Sequence, residues 1–106
     1  MQLDLNDLKS VKAFADAFNA KYSKLDILLN NAGIMCLPER QVTAQGYEKQ
    51  IGVNHLGHFA LTNMLLGKIR ASKEGRIVNV SSIAHWIPPG KLDFDDLMSE
   101  KKYNDW

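Results

Sequence analysis

Two short apolar runs, each ended by small polar residues, constrain the fold of this chain more than any other feature. The first run covers residues 25–29 and stops at the turn sequence of residues 30–33. The second covers residues 76–80 and stops at Ser81 and Ser82. Their length and their aliphatic or β-branched content favour buried strands over helices.

Helical periodicity precedes the first strand and fills the space between the two. Apolar residues recur at steps of three and four from residue 7 to residue 22, which predicts an amphipathic helix with Asn6 as its N-cap. A second, longer helix is predicted from residue 43 to residue 71. It contains four glycines, each of which weakens a helix by about 1 kcal/mol, so we expect close packing or a local distortion there. These glycines are Gly46, Gly52, Gly57 and Gly67.

The remaining part of the chain, residues 86–106, predicts a loop that contains Pro88-Pro89-Gly90 and one short helix near residues 94–98. Alternation of strands and helices predicts an α/β fold with parallel strands, in which ligands bind at the carboxyl ends of the strands. The polar residues 30–33 and 81–82 follow the two strands directly. A functional site is therefore expected at that edge of the sheet.

Composition narrows the class of protein. A chain of 106 residues has room for one domain, and its formal net charge of +1 gives no reason to expect nucleic-acid binding. The single cysteine, Cys36, excludes an intramolecular disulfide. No apolar stretch reaches the roughly 18–20 residues of a membrane span, and residues 1–4 do not resemble a signal peptide, so a cytoplasmic protein is the default expectation. Two histidines and one cysteine without acidic partners at ligand spacing make a weak set of metal ligands, and no metal site is expected.

Three polar groups are candidates for chemistry, and each has a simpler explanation. Residues 30–33 let a flat ligand approach the backbone, but asparagine and glycine also dominate ordinary turns. Asn54 lies among apolar residues of the long helix. Either it distorts the helix and holds a water through the freed backbone groups, or it is a polar core residue whose hydrogen bonds are satisfied. Ser82 either bonds a substrate oxygen at the rim of the sheet or caps local backbone.

The order and spacing of these motifs resemble the short-chain dehydrogenase/reductase family, and residues 53–59 and 92–97 resemble its retinol dehydrogenase-like branch. The resemblance rests on Leu3-Asp4-Leu5, Asn30-Asn31-Ala32-Gly33, Asn54-His55-Leu56-Gly57-His58-Phe59 and Val78-Asn79-Val80-Ser81-Ser82. It implies a partial Rossmann fold, a doubly wound parallel sheet, in which residues 1–106 form the middle segment of an NAD(P)-binding domain.

The resemblance also implies roles for single residues. Asn54 would hold the water of a proton relay, and Ser82 would orient the substrate oxygen. Asp4 and Leu5 would border the adenine ring, and Val53 would contact the cofactor from the long helix. NAD or NADP would also be lined by Asn30, Asn31, Ala32 and Gly33.

Two parts of the family pattern are absent from these 106 residues: the glycine-rich turn and the Tyr-x-x-x-Lys pair. Tyr103 is the only tyrosine after the serines, and family spacing places the catalytic tyrosine just past Trp106. The resemblance therefore implies an internal fragment of an oxidoreductase that transfers a hydride between NAD(P) and an alcohol or carbonyl substrate. This substrate would be a small hydrophobic alcohol or aldehyde, retinoid-like by resemblance. Alone, the chain is expected to be marginally folded and inactive. The alternative is a non-catalytic product that acts through protein association.

Overall fold

A computed structural model of the protein describes residues 1–86 and 91–105, and its elements alternate as the sequence predicts. The order of these elements along the chain is α1 (Leu8–Lys21), β1 (Ile27–Asn30), α2 (Lys49–Ile51), a π-helical segment (Gly52–Gly57), α3 (His58–Arg70), β2 (Arg76–Asn79) and a 3-10 helix (Ile83–Trp86).

Helix α1 packs against α3 and forms the core of the molecule with it. The buried cluster consists of Val11 and Ala15 from α1 and of Leu61 and Leu65 from α3. The spacing of four within each pair places both side chains on one face of their helix. The prediction of Asn6 as the N-cap was wrong. The cap is Asp7, whose carboxylate accepts a hydrogen bond from the backbone N–H of Lys9 at 2.9 Å.

Replacing Asp7 with alanine should make the melting temperature of the protein vary less with pH in the acid range. A hydrogen bond from the side chain of Gln45 and one from the Lys9 backbone hold the pKa of Asp7 below its usual value of 3.8. A carboxyl whose pKa is lowered by folding stabilises the protein above its unfolded-state pKa, and this contribution is lost as the pH falls through the folded-state pKa. Thermal melts should therefore show a lower melting temperature for Asp7→Ala at pH 7 and a smaller difference near pH 3. Asp16→Ala, which removes only an exposed i,i+4 pair with Lys12, is the control and should change little at either pH.

The two strands pair in parallel, in the register Ile27↔Arg76 to Asn30↔Asn79, as the α/β pattern predicts. The expectation that both strands are buried was wrong. Only Asn30 is buried, whereas Ile27 and Leu29 are 63% and 57% exposed and all of β2 is exposed. In β1 the reason is that successive side chains point to opposite faces of the sheet, and helix α3 packs against one of these faces.

The long helix begins later than its periodicity suggests and contains the expected distortion. Residues 43–48 form a turn, in which the backbone N–H of Thr43 donates to the carbonyl of Tyr47 at 2.7 Å. The helix starts after Glu48, whose buried carboxylate accepts from the backbone N–H groups of Gln50 and Ile51, both at 2.8 Å. Its second turn widens into the π-helical segment between Gly52 and Gly57.

The last part of the chain differs from the prediction in two places. A 3-10 helix that the sequence did not reveal spans Ile83–Trp86. Residues 94–98 form turns instead of the predicted short helix, since Asp96 accepts from the backbone N–H groups of Glu100, Lys101 and Lys102 and so closes a local loop. The predicted Pro88-Pro89-Gly90 turn and Trp106 lie outside the described residues.

Candidate active site

A groove of about 430 Å³ lies between the N-terminal segment, the residues after β1 and the start of the long helix. Five of the seven residues expected to contact the cofactor line it, although they come from three separate parts of the sequence. They are Asp4, Leu5, Ala32, Gly33 and Val53. The other residues that line the groove are Leu3, Asn6, Ile34 and Lys49.

Asn30 does not line this groove, in contrast to the expectation from the resemblance. Its side chain is buried, and its amide nitrogen donates to Thr62 Oγ1 at 3.0 Å and to Asn79 Oδ1 at 2.8 Å. Because an amide carries only two N–H donors, both are already used inside the fold. Asn30 therefore ties the carboxyl ends of β1 and β2 to helix α3. Asn31 is exposed and is not a lining residue of the groove either.

Asn54 lies in the π-helical segment and is exposed, so it is not a polar core residue. Its Oδ1 accepts from the backbone N–H of Ile34, and its Nδ2 donates to the carbonyl of Ile34, both at 2.8 Å. One amide thus satisfies both polar backbone groups of a residue that belongs to no strand. Gly33 lies next to this pair, and a Cβ built on it would stand 3.5 Å from Asn54 Oδ1.

Ser82 follows β2 at the same edge of the sheet as the residues after β1. The backbone N–H of Val80 donates to the carbonyl of Asn30 at 3.1 Å, which extends the pairing of the two strands to within two residues of Ser82. Ser82 is exposed, and its hydroxyl accepts from the backbone N–H of Ala84 at 3.1 Å. Here it caps the 3-10 helix, the simpler of its two explanations, and a hydroxyl that accepts one bond still has a proton to donate.

Lys49 is a lining residue of the groove that the sequence analysis missed. It precedes Val53 by four residues, so helical geometry places both side chains on one face, and this spacing was the available signal. Its ammonium group donates to Gln41 Oε1 at 3.1 Å. The groove therefore carries a cation on one element and the carboxylate of Asp4 on another. Asp4 Oδ1 accepts from the backbone N–H of Asn6 at 2.8 Å.

Residues 96–105, which we call the C-terminal strap, lie across the loop that follows β1. The Tyr103 hydroxyl donates to the carbonyl of Leu37 at 2.7 Å and accepts from Gln50 Nε2 at 3.2 Å. The backbone N–H of Cys36 donates to the carbonyl of Asp105 at 3.2 Å. Tyr103 is thus occupied with holding this loop, and the carbonyl of Asp105 contacts Cys36, two residues after Ile34.

The part of the chain that the structure describes contains no group of three or more histidine, cysteine or acidic residues that would hold a metal ion. Within the same residues, no helix is both long and apolar enough to cross a membrane. The carboxyl groups whose pKa is lowered, those of Asp7, Asp26 and Asp96, are not lining residues of the groove.

Residues 1–90 match the family model described as short chain dehydrogenase. The chain belongs to this family. Among its relatives, human retinol dehydrogenase 12 is 53% identical over 103 residues, which cover 97% of this chain and 32% of the relative. Human retinol dehydrogenase 11 is 52% identical over 103 residues, which cover 97% of this chain and 31% of the relative. The chain therefore spans about a third of the length of the curated relatives that it matches.

Two solved structures that superpose on this chain confirm the partial Rossmann fold. A putative uncharacterized protein from Mycobacterium paratuberculosis superposes with a TM-score of 0.79 at 45% identity, over 99% of this chain and 35% of that one. The Pseudomonas aeruginosa RhlG/NADP active-site complex superposes with a TM-score of 0.65 at 28% identity, over 86% of this chain and 38% of that one. The family uses a nicotinamide cofactor. Retinol dehydrogenases 11 and 12 confirm the retinol dehydrogenase-like branch that the motifs indicated.

Proposed function

We propose that residues 1–106 form the middle segment of an NAD(P)-binding domain and supply one wall of the cofactor site together with two residues of the catalytic centre. The observation that carries this proposal is the groove, because it assembles five residues that the family resemblance assigned to the cofactor from three separate segments. Leu5, Ala32 and Val53 are apolar or small, which suits the faces of a flat aromatic base. Asp4 offers a carboxylate beside them.

The cofactor, when bound, accepts or supplies the hydride, and the protein contributes orientation and proton handling. In this proposal Asp4 and Leu5 border the adenine ring, and Ala32, Gly33 and Val53 line the cofactor. Asn30 acts indirectly, by fixing the ends of the two strands. Asn54 holds the backbone of Ile34 and the water of a proton relay. Ser82 donates a hydrogen bond to the substrate oxygen and so orients it.

The substrate proposed is a small hydrophobic alcohol or aldehyde of the retinoid type. The retinol dehydrogenase relatives support this class, and so do the apolar side chains that follow Ser82 directly. Ile83 is 85% and Trp86 is 78% exposed, so the region beside the candidate catalytic serine presents an apolar surface. A hydrophobic substrate would cover such a surface on binding.

A chimera tests this function. In it, the segment of human retinol dehydrogenase 12 that matches this chain is replaced by the corresponding residues of this chain. The chimera should oxidise retinol with NAD⁺ or NADP⁺, and Ser82→Ala should lower kcat by about 10²–10³-fold, the usual cost of removing one donor to a reacting oxygen. Ser81→Ala is the matched control and should leave kcat within about threefold. A chimera that folds but has no activity, or equal losses in both serine variants, would contradict the proposal.

The isolated 106-residue polypeptide should bind the cofactor weakly and catalyse nothing, because it contains no Tyr-x-x-x-Lys pair and no glycine-rich turn.

A second candidate function, association with another protein, is favoured by the outer face of the sheet. Ile27, Leu29 and Val78 are all exposed there, next to one another in the pairing register. Light scattering of the isolated chain over a range of concentrations distinguishes a monomer from an associating protein.

A further inference from the structure

His58 opens helix α3 directly after the π-helical segment and reaches back to the residues that follow β1. Its Nε2 lies 2.8 Å from the carbonyl oxygen of Ala32. Because a carbonyl oxygen can only accept a hydrogen bond, Nε2 carries the proton and donates it. The other ring nitrogen, Nδ1, is buried and has no hydrogen-bond partner among the described residues. The ring therefore holds its place through Nε2.

Asn54 and His58 together hold the backbone on both sides of Gly33. They lie four residues apart on the same helix, and their side chains occupy the carbonyl of Ala32 and both polar backbone groups of Ile34. These three backbone groups are satisfied by helix side chains instead of a strand or a turn. Glycine has more backbone freedom to lose than any other residue, so an unheld Gly33 would move most readily.

The bond to Ala32 also fixes the peptide group that links it to Gly33. That peptide is planar, and in the trans form its C=O and N–H point in opposite directions. When His58 draws the carbonyl towards the helix, the N–H of Gly33 must point away from the helix. His58 thus determines the orientation of a backbone donor in a residue that lines the groove.

We propose that His58 is a positioning residue for the cofactor: by holding the Ala32 carbonyl it keeps the Ala32–Gly33 peptide in the orientation that the bound cofactor requires. This inference rests on the proposed function of the groove. The residue acts through the backbone and does not itself touch the reacting atoms. The simpler explanation, that the ring only fills space at the start of α3, does not require a donor at Nε2.

Substitutions at position 58 separate these two explanations. Glutamine can place a side-chain N–H close to the position of Nε2, whereas phenylalanine fills similar space without a donor. In the chimera, His58→Phe should raise the KM for the cofactor about 3- to 10-fold, the loss expected for one hydrogen bond, with a smaller change in kcat. His58→Gln should restore KM to within about threefold of the unsubstituted chimera.

His55 provides the matched control on the same helical stretch. It is exposed, and its ring contacts Phe59 at a centroid distance of 6.1 Å. His55→Phe should leave the KM for the cofactor unchanged. Equal KM values for His58→Phe and the unsubstituted chimera would overturn the inference, and so would a His58→Gln variant as impaired as His58→Phe.

A second measurement tests the inference without any enzyme activity. In the full 106-residue chain, the ring ¹⁵N signals of His58 report which nitrogen carries the proton, and we expect the Nε2–H tautomer with a protected proton. A ring that carries its proton on Nδ1, or that averages between the two tautomers as His55 should, would overturn the inference. A fixed Nε2–H tautomer in the chain, combined with an inactive chimera, would instead show that His58 holds the Ala32 carbonyl and that the proposed function fails.

Discussion

Replacing Leu65 with alanine is expected to lower the free energy of unfolding by about 2–5 kcal/mol, the range found for truncating a buried leucine. Leu65 is 2% exposed and lies at the centre of the cluster that joins α1 to α3. The loss combines the transfer free energy of the removed atoms with the cavity left behind. Complete domains have a total stability of about 5–15 kcal/mol, and a marginally folded chain lies at or below the lower end of that range, so this variant should lose most of its stability.

Urea unfolding followed by far-UV circular dichroism measures this effect. Met64→Ala is the matched control, because Met64 precedes Leu65 in α3 and its side chain is exposed. The contact that Met64 makes with Asn19 uses its backbone carbonyl, which the substitution leaves in place. We expect Met64→Ala to change the free energy of unfolding by no more than about 0.5 kcal/mol. Equal losses in the two variants would show that α3 does not bury this face.

The second large effect is expected at Gly57, where the π-helical segment touches the N-terminal segment. A Cβ built on Gly57 would stand 2.7 Å from the carbonyl oxygen of Leu5 and 3.1 Å from its Cβ. The first of these atoms belongs to the backbone, so it cannot move aside as a flexible side chain would. Gly57→Ala should therefore lower the free energy of unfolding by about 1–3 kcal/mol, the usual cost of overpacking.

The same substitution should disturb the groove, because Leu5 lines it. In the chimera, we expect Gly57→Ala to raise the KM for the cofactor in addition to lowering the melting temperature. Gly67→Ala is the matched control in the same helix. Outside its own stretch of helix, no atom of the described residues lies within 4 Å of a Cβ built there, so the alanine should stabilise the protein by up to about 1 kcal/mol. If Gly57→Ala were as stable as Gly67→Ala, the close approach of Leu5 to the helix would be wrong.

Local patterns predicted the strands and helix α1 because their signals lie within a few neighbouring residues. The paired strands Ile27–Asn30 and Arg76–Asn79 fall within one or two residues of their expected positions. The start of the long helix was missed because residues 43–48 are held by distant partners. The backbone N–H of Ala44 donates to the carbonyl of Asn6 at 3.0 Å, which no helical periodicity reveals. Strand burial was overestimated for a related reason, since it depends on which elements cover each face.

The site was predictable only in pieces. Spacing indicated that residues 30–33 and Ser82 end neighbouring parallel strands, and the glycines indicated a distorted helix. The spacing of four indicates that Lys49 shares a helix face with Val53, but no local pattern shows that the N-terminal segment with Asp4 lies against that face. Nor could it show that the buried Asn30 amide is used between the strands, because hydrogen-bond partners 32 and 49 residues away decide that.

The C-terminal strap has a consequence for the order in which the molecule assembles. The bond from Tyr103 to Leu37 joins residues 66 positions apart, and the bond from Gln50 to Tyr103 joins residues 53 apart. Closing such long loops costs chain entropy before any contact repays it, and these contacts are few and polar. The strap should therefore dock last during folding and detach first in local opening, while the α1–α3 core persists. The loop after β1 would then gain and lose its outer support as one cooperative unit.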